Sequence, residues 1–216
     1  MVRIGSIASV ARLLAPSEPR QPLPPAESGA MLPHGGGTWH RRREMARDHA
    51  PRLRAAPFVP PLHVVLVEPE IPPNTGNIAR LCAATGSTLH LVGTLGFRID
   101  EKSVRRAGID YWHLVDVRRH LDLSHFRNAV PDARWILLSA SAERSYLDAG
   151  FRPGDALLFG RESVGLPDDL LDAHRESVFG IPTLGPVRSL NLANAASIVV
   201  YEALRQIGAL GATFME

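Results

Sequence analysis

From residue 62 onward, apolar runs of strand length alternate with segments of helical period. The first run, 62–68, reads LHVVLVE; others follow at 88–92, 112–117, 134–140 (RWILLSA), 155–159 (DALLF) and 177–181. Between and after them, IARLCAATG up to Gly86 and the segments 103–107, 118–129, 167–173 and 190–208 carry helical patterning. A strand that returns to the sheet through a helix pairs in parallel. Strands buried on both faces are continuous apolar runs, not alternating ones, and these runs are continuous. The pattern predicts an α/β fold, a mostly parallel sheet with helices on both faces.

Residues 1–60 do not share this texture. They hold nine of the 18 prolines, the Gly35-Gly36-Gly37 run, and nine Arg against four acids, a net charge of +5. Proline at that density forbids long helices and central strands, and few aliphatics are present to offset the entropy of ordering. The expectation is a mostly disordered extension over 1–60 and one domain over 61–216. The body is then slightly acidic, so the sequence pI of about 9.1 belongs to the extension. Residues 1–15 (MVRIGSIASVARLLA) have the acid-free, Arg- and Ser-containing composition of a mitochondrial presequence; an unstructured bacterial extension and a start assigned too far upstream are the alternatives. A cytoplasmic location is expected. The single cysteine, Cys82, excludes an intramolecular disulfide, the nine His show no metal-binding spacing, and no run of about 18 apolar residues exists to span a membrane.

In open parallel sheets, ligands lie beyond the carboxyl ends of the strands, and three loops there are unusual. EPEIPPNTGNIAR (68–80) has a proline-stiffened exit and then a polar turn at 74–76. Asn77 and Arg80 are three apart and share a face. An Arg at a helix start opposes the macrodipole unless it meets an anion; the alternative is Asn74 as an N-cap with Arg80 solvated. FGRESVGLP (159–167) places Gly160 and Gly165 around a polar segment with Glu162, without any phosphate-loop spacing. IPTLGPVRSLNLANAAS (181–197) is a rigid Pro/Gly loop leading into the last helix, with Ser189 or Asn191 as its cap.

EPEIPPNTGNIARLCAATG, the following LHLVGTLGF, and VRSLNLANAASIVVYEALRQ together resemble the SPOUT class of knotted RNA methyltransferases, and within it the small tRNA (cytidine/uridine-34) 2′-O-methyltransferases. The resemblance covers about residues 62–208 and none of 1–60. The FGRE spelling at Arg161 and the GPV before Arg188 depart from it without removing a site position.

The resemblance implies a C-terminal deep trefoil knot, which is rare among folds, and S-adenosyl-L-methionine as cofactor. It assigns cofactor binding to Leu138, Gly160, Ile181 and Ser189. Arg80 and Asn77 would be catalytic, with Asn191, Tyr201 and Glu162 supporting the site or the RNA; a core-packed Tyr201 is the alternative. It further implies a homodimer acting without a metal on the anticodon stem-loop of a tRNA, leucine isoacceptors being expected. Arg80, Arg105, Arg106, Arg118 and Arg119 are candidates for a basic patch. The alternatives are the same chemistry on another tRNA position or on ribosomal RNA, and a cofactor- or RNA-binding module without activity.

Overall fold

The computed structural model describes residues 52–97, 112–211 and 213–216. The chain divides into two units, Met1–Ala50 and Pro51–Glu216, and the second is the subject here. The helix expected at 103–107, with Arg105 and Arg106, lies outside the described residues, as do residues 1–51.

A six-stranded, all-parallel sheet forms the centre: β2 (His63–Val67), β3 (Thr88–Val92), β4 (Val117–His120), β5 (Trp135–Leu138), β6 (Ala156–Phe159) and β7 (Val178–Phe179), in the order β4-β3-β2-β6-β5-β7. From β2 the chain winds outward through β3 to β4. It then crosses to the other half of the sheet, where β6 pairs with β2. The point where the winding reverses is therefore the β2/β6 boundary. A separate antiparallel ribbon pairs β1 (Leu53–Ala55) with β8 (Thr213–Met215); both strands are exposed along their length.

Two apolar cores explain the continuous strand runs. Val64 and Leu66 of β2 face the core that also buries Ile78 and Cys82 of α1 (Pro72–Thr85) and Val199, Val200 and Ala203 of α4 (Leu192–Gln206). Val65 and Val67 face the opposite core, with Phe126 of α2 (Leu123–Ala129) and, at its margin, Leu170 and Leu171 of α3 (Asp168–Ala173).

Three boundaries differ from the sequence reading. α1 begins at Pro72, so Asn74–Gly76 belongs to its first turn and Ile71 occupies the N-cap. Proline is tolerated in a first turn, where the amide it lacks has no partner anyway. Residues 112–117 are not a strand: Trp112–Leu114 is a 3₁₀ turn, and β4 runs over Val117–His120. β4 is an edge strand exposed at Arg118 and Arg119, so it needs no apolar run. The helix expected over 118–129 accordingly begins at Leu123, capped by Asp122, whose carboxylate accepts from the His125 amide at 2.7 Å.

Candidate active site

The loops that leave β5, β6 and β7 enclose, with the start of α4, a cavity of about 610 Å³. It lies beyond the strands' carboxyl ends, beside the reversal of winding. Leu138, Gly160, Ile181 and Ser189 all line it, as do Glu162 and Asn191.

The backbone makes the walls. A Cβ on Gly160 would lie 2.0 Å from the carbonyl carbon of Gly165 and 2.1 Å from the Leu166 nitrogen, so only glycine allows the loop to close. Reciprocal hydrogen bonds between Arg161 and Gly165 (3.1 and 2.9 Å) close it. Gly165 has φ 82°, the left-handed region that favours glycine. On the opposite wall, a Cβ on Gly180 would lie 2.9 Å from the Ser139 oxygen. There the Ser139 amide donates to Phe179 O, the Gly180 amide to Arg144 O, and the Tyr146 amide to Gly180 O, at 3.0, 2.8 and 2.9 Å. The loop after β5 thus clasps the strand that leads to the third wall.

Apart from Arg188, the charged groups of the lining are paired off. Glu162 Oε2 accepts from the Glu70 amide (2.8 Å), and its Oε1 from the Ile71 amide (3.2 Å) and Asn74 Nδ2 (3.0 Å). A carboxylate thereby sits at the positive end of α1, where the macrodipole favours it. Asn74 Oδ1 in turn accepts from Asn191 Nδ2 at 2.9 Å, while Asn191 Oδ1 caps α4 by accepting from the Ala193 and Asn194 amides. Glu70 Oε2 accepts from the Ser163 amide at 3.0 Å, and Arg161 pairs with Glu68. Glu68 has φ 50°, a conformation uncommon for a non-glycine residue. These contacts bind the loop after β2 to the loop after β6. Among the described residues Arg188 lines the cavity as a cation with no charged or hydrogen-bonded partner.

Sequence reasoning underrated Asn74, which is 5% exposed and joins three segments. Its signal was present: an amide in a first turn already held by prolines has no need to cap it. Asn77 and Arg80 share an exposed face of α1 and do not line the cavity. They lie mid-helix, because α1 starts at Pro72, so the argument from an Arg at a helix start does not apply. Tyr201 is 48% exposed on α4 beside Ile198, at 38%; it is not packed in a core. Asn191 does cap α4.

The arrangement suits a small organic ligand held largely by backbone groups. Its volume is that of small-molecule sites, its lining mixes Phe159, Phe179 and Leu190 with exposed backbone, and one wall excludes any side chain. A thiol nucleophile is absent: burial pushes Cys82 up to about 12, and it lies within the α1–α4 core. Among the described residues no group of His, Cys, Asp or Glu is placed to hold a metal ion, and no helix is long and apolar enough to cross a membrane.

Residues 61–201 match the SpoU rRNA Methylase family. The chain is 46% identical over 156 residues to the tRNA (cytidine(34)-2′-O)-methyltransferase of Escherichia coli K12, covering 72% of this chain and 99% of that protein. A solved structure described as giving insight into the 2-OH methylation of C/U34 on tRNA superposes with a TM-score of 0.63 at 51% identity, covering 67% of this chain and 95% of that one. A SpoU methyltransferase from Streptomyces viridochromogenes, solved in complex with AdoMet, superposes with a TM-score of 0.58 at 28% identity, covering 68% and 60%. With the matching family model covering most of the described domain, and a relative of nearly half identity covered almost end to end, the chain belongs to the SpoU methylase family, alongside the tRNA (cytidine(34)-2′-O)-methyltransferases.

Proposed function

We propose that this protein methylates the ribose 2′-hydroxyl of nucleotide 34 of a tRNA, with S-adenosylmethionine as methyl donor. One observation carries the reading: Leu138, Gly160, Ile181 and Ser189, four positions spread over 52 residues of chain, line a single cavity. The name of the E. coli relative, which this chain matches over 99% of that protein's length, narrows the substrate to position 34.

Bound there, the cofactor supplies an electrophilic methyl group on a sulfonium. The chain's own residues hold and orient. Backbone groups of the loops at 138–141, 160–165 and 179–181 line the adenosine and methionine portions, with Leu138 and Ile181 as apolar contacts. Asn191 and Asn74 fix the start of α4 and, with it, Ser189. A hydroxyl is a weak nucleophile, so catalysis is mostly placement and electrostatic support. Arg80 serves as the cation that holds a substrate phosphate and steadies the oxygen as its proton leaves; a guanidinium does not deprotonate and is not the base. Asn77, on the same face, supports it.

Arg80, Asn77 and Tyr201 lie outside the cavity, which favours a homodimer with each site completed across the boundary. Exposed Ile198, one turn before Tyr201 on the same face of α4, supplies apolar surface for an interface. Ile198→Asp is expected to give a monomer in sedimentation equilibrium and to abolish turnover. The clasp of the loop after β5 around Gly180 supports the trefoil knot. That the relatives are bacterial tRNA enzymes supports a cytoplasmic location.

The test is to incubate the protein with bulk tRNA and labelled cofactor and map the methylated nucleotide. Label at the wobble ribose is expected; label at another RNA position overturns the narrow reading and leaves the methyltransferase.

A further inference from the structure

A row of three imidazoles crosses the sheet on the face opposite α1 and α4, and nothing in the reaction uses it. His63 on β2, His90 on β3 and His120 on β4 follow one diagonal of the register, where His90 lies opposite Val65, and His120 opposite Val92. His63 Nδ1 and His90 Nε2 are 3.0 Å apart; His90 Nδ1 and His120 Nε2 are 2.9 Å apart. His90 is fully buried, His120 7% exposed and His63 partly exposed. Phe126 of α2 sets its ring edge-on against both inner members, at 4.9 and 5.3 Å between centroids.

A neutral imidazole carries one N–H, so the two hydrogen bonds leave two arrangements. With the protons on Nδ1, each ring donates towards β4, and His120 ends the row with a buried N–H. The His120 Nδ1 has no hydrogen-bond partner among the described residues, and buried N–H groups without acceptors are rarer than unfilled acceptors. With the protons on Nε2, His120 donates to His90 and His90 to His63. The row then ends in a bare lone pair at one end and places its last N–H at His63, the partly exposed member. The second arrangement is the consistent one.

Charge is unwelcome along the row. The charged groups facing it are Arg118 and Asp116 at β4, and His125 of α2, whose ring lies 5.3 Å from that of His120. Arg118 is bound to Asp116 at 2.7 Å, so the one carboxylate nearby is already engaged. A proton added at His90 or His120 leaves a cation buried against Phe126 and beside Arg118.

We propose that the row is a proton-sensitive clasp on the sheet's edge: neutral, with all three protons on Nε2, it fastens β4 and α2 to β3; protonated, it releases them while β2, β5 and β6 stay paired. The proposal is independent of the reaction assigned above and is read without substrate.

Two measurements on the full-length protein test it. Nitrogen-15 spectra of the imidazoles at pH 7.5 should show all three as Nε2–H tautomers; an Nδ1–H form at His90 or His120 overturns the arrangement. Amide exchange between pH 7.5 and 5, corrected for intrinsic rates, should show β4 opening at a lower free energy than β5 and β6 at every pH, its protection falling by up to about tenfold per pH unit for each histidine that takes up a proton. His90→Gln, an uncharged hydrogen-bonding replacement, should flatten that dependence. Protection of β4 that is independent of pH, or that equals that of β5 and β6 throughout, overturns the clasp. Should His90→Gln fail to fold, the wild-type contrast between β4 and β6 still decides.

Discussion

Gly160 has no room for a side chain: the nearest backbone atom to a Cβ there is 2.0 Å away. Gly160→Ala must push the 160–165 wall into the cavity, and cofactor affinity measured by calorimetry is expected to fall about a hundredfold, roughly 3 kcal/mol. Retained affinity would remove this wall from the binding site. Asn74 gives a second residue-scale expectation. Its amide gives to Glu162 and its oxygen takes from Asn191, so Asn74→Ala leaves Asn191 Nδ2 unpaired and Glu162 Oε1 with the Ile71 amide alone, at about 1–3 kcal/mol. Asn74→Asp, the closer isostere, should be the worse of the two, because it sets a carboxylate against Glu162. A melting temperature lower for Ala than for Asp would contradict the assigned donor and acceptor. Gly160 was legible in sequence because a glycine after a buried strand invites close approach. Asn74 could be singled out there, but its partners could not, since they are 88 and 117 residues away.

Elements were legible where they are buried on both sides and blurred where they are not. β2, β3, β5 and β6 are mostly apolar and kept nearly their expected bounds. β4 exposes Arg118 and Arg119, reads as polar, and was displaced onto the neighbouring 3₁₀ turn and helix. The entry to β6 shows what fixes an element's start. Asp155, 1% exposed, accepts from Arg134 through both Oδ atoms at 3.0 and 2.6 Å, and from the Arg152 amide at 2.7 Å. The pair ties the turn before β6 to the start of β5. Removing one partner of a buried pair strands the other's charge and hydrogen bonds, at about 3–5 kcal/mol; Arg134 is about a third exposed, so the lower end applies. Asp155→Ala is expected to shift the urea midpoint downward by that amount with an unchanged m-value. A loss under 1 kcal/mol would mean that the turn holds without the pair.

At the scale of the whole molecule, the site depends on one topological fact: the loops after β2 and β6 meet because those strands are neighbours, although Glu70 and Glu162 are 92 positions apart in the chain. Strand alternation foretold a parallel sheet but not its order, so it could not foretell that Glu68 would find Arg161. The same holds for the histidines. Three imidazoles at 63, 90 and 120 looked scattered, and only strand order makes them a row. Their effect is on the stability of the entire fold. Burial is the first cause that lowers all three below the usual imidazole value, with His90 held down to about 3. The unfolded chain therefore takes up protons below about pH 6.5 that the folded chain refuses. Stability is unaffected by these groups above that pH and falls as the solution is acidified below it. Each histidine adds a slope of at most about 1.4 kcal/mol per pH unit. Asp116 and Glu202 are also shifted, their carboxyls lowered chiefly by hydrogen bonds from Arg118 and Arg205. Those groups act only near and below the ordinary carboxylate range, so the interval from pH 7 to 5 isolates the imidazoles. Thermal melts across that interval should show the midpoint dropping with each step, at about 2–4 °C for every 1 kcal/mol in a chain of this size. In His90→Gln the drop should be visibly shallower, whatever its absolute midpoint. A midpoint flat from pH 7 to 5 in the wild type would mean that the row accepts protons in the folded state as readily as in the unfolded one.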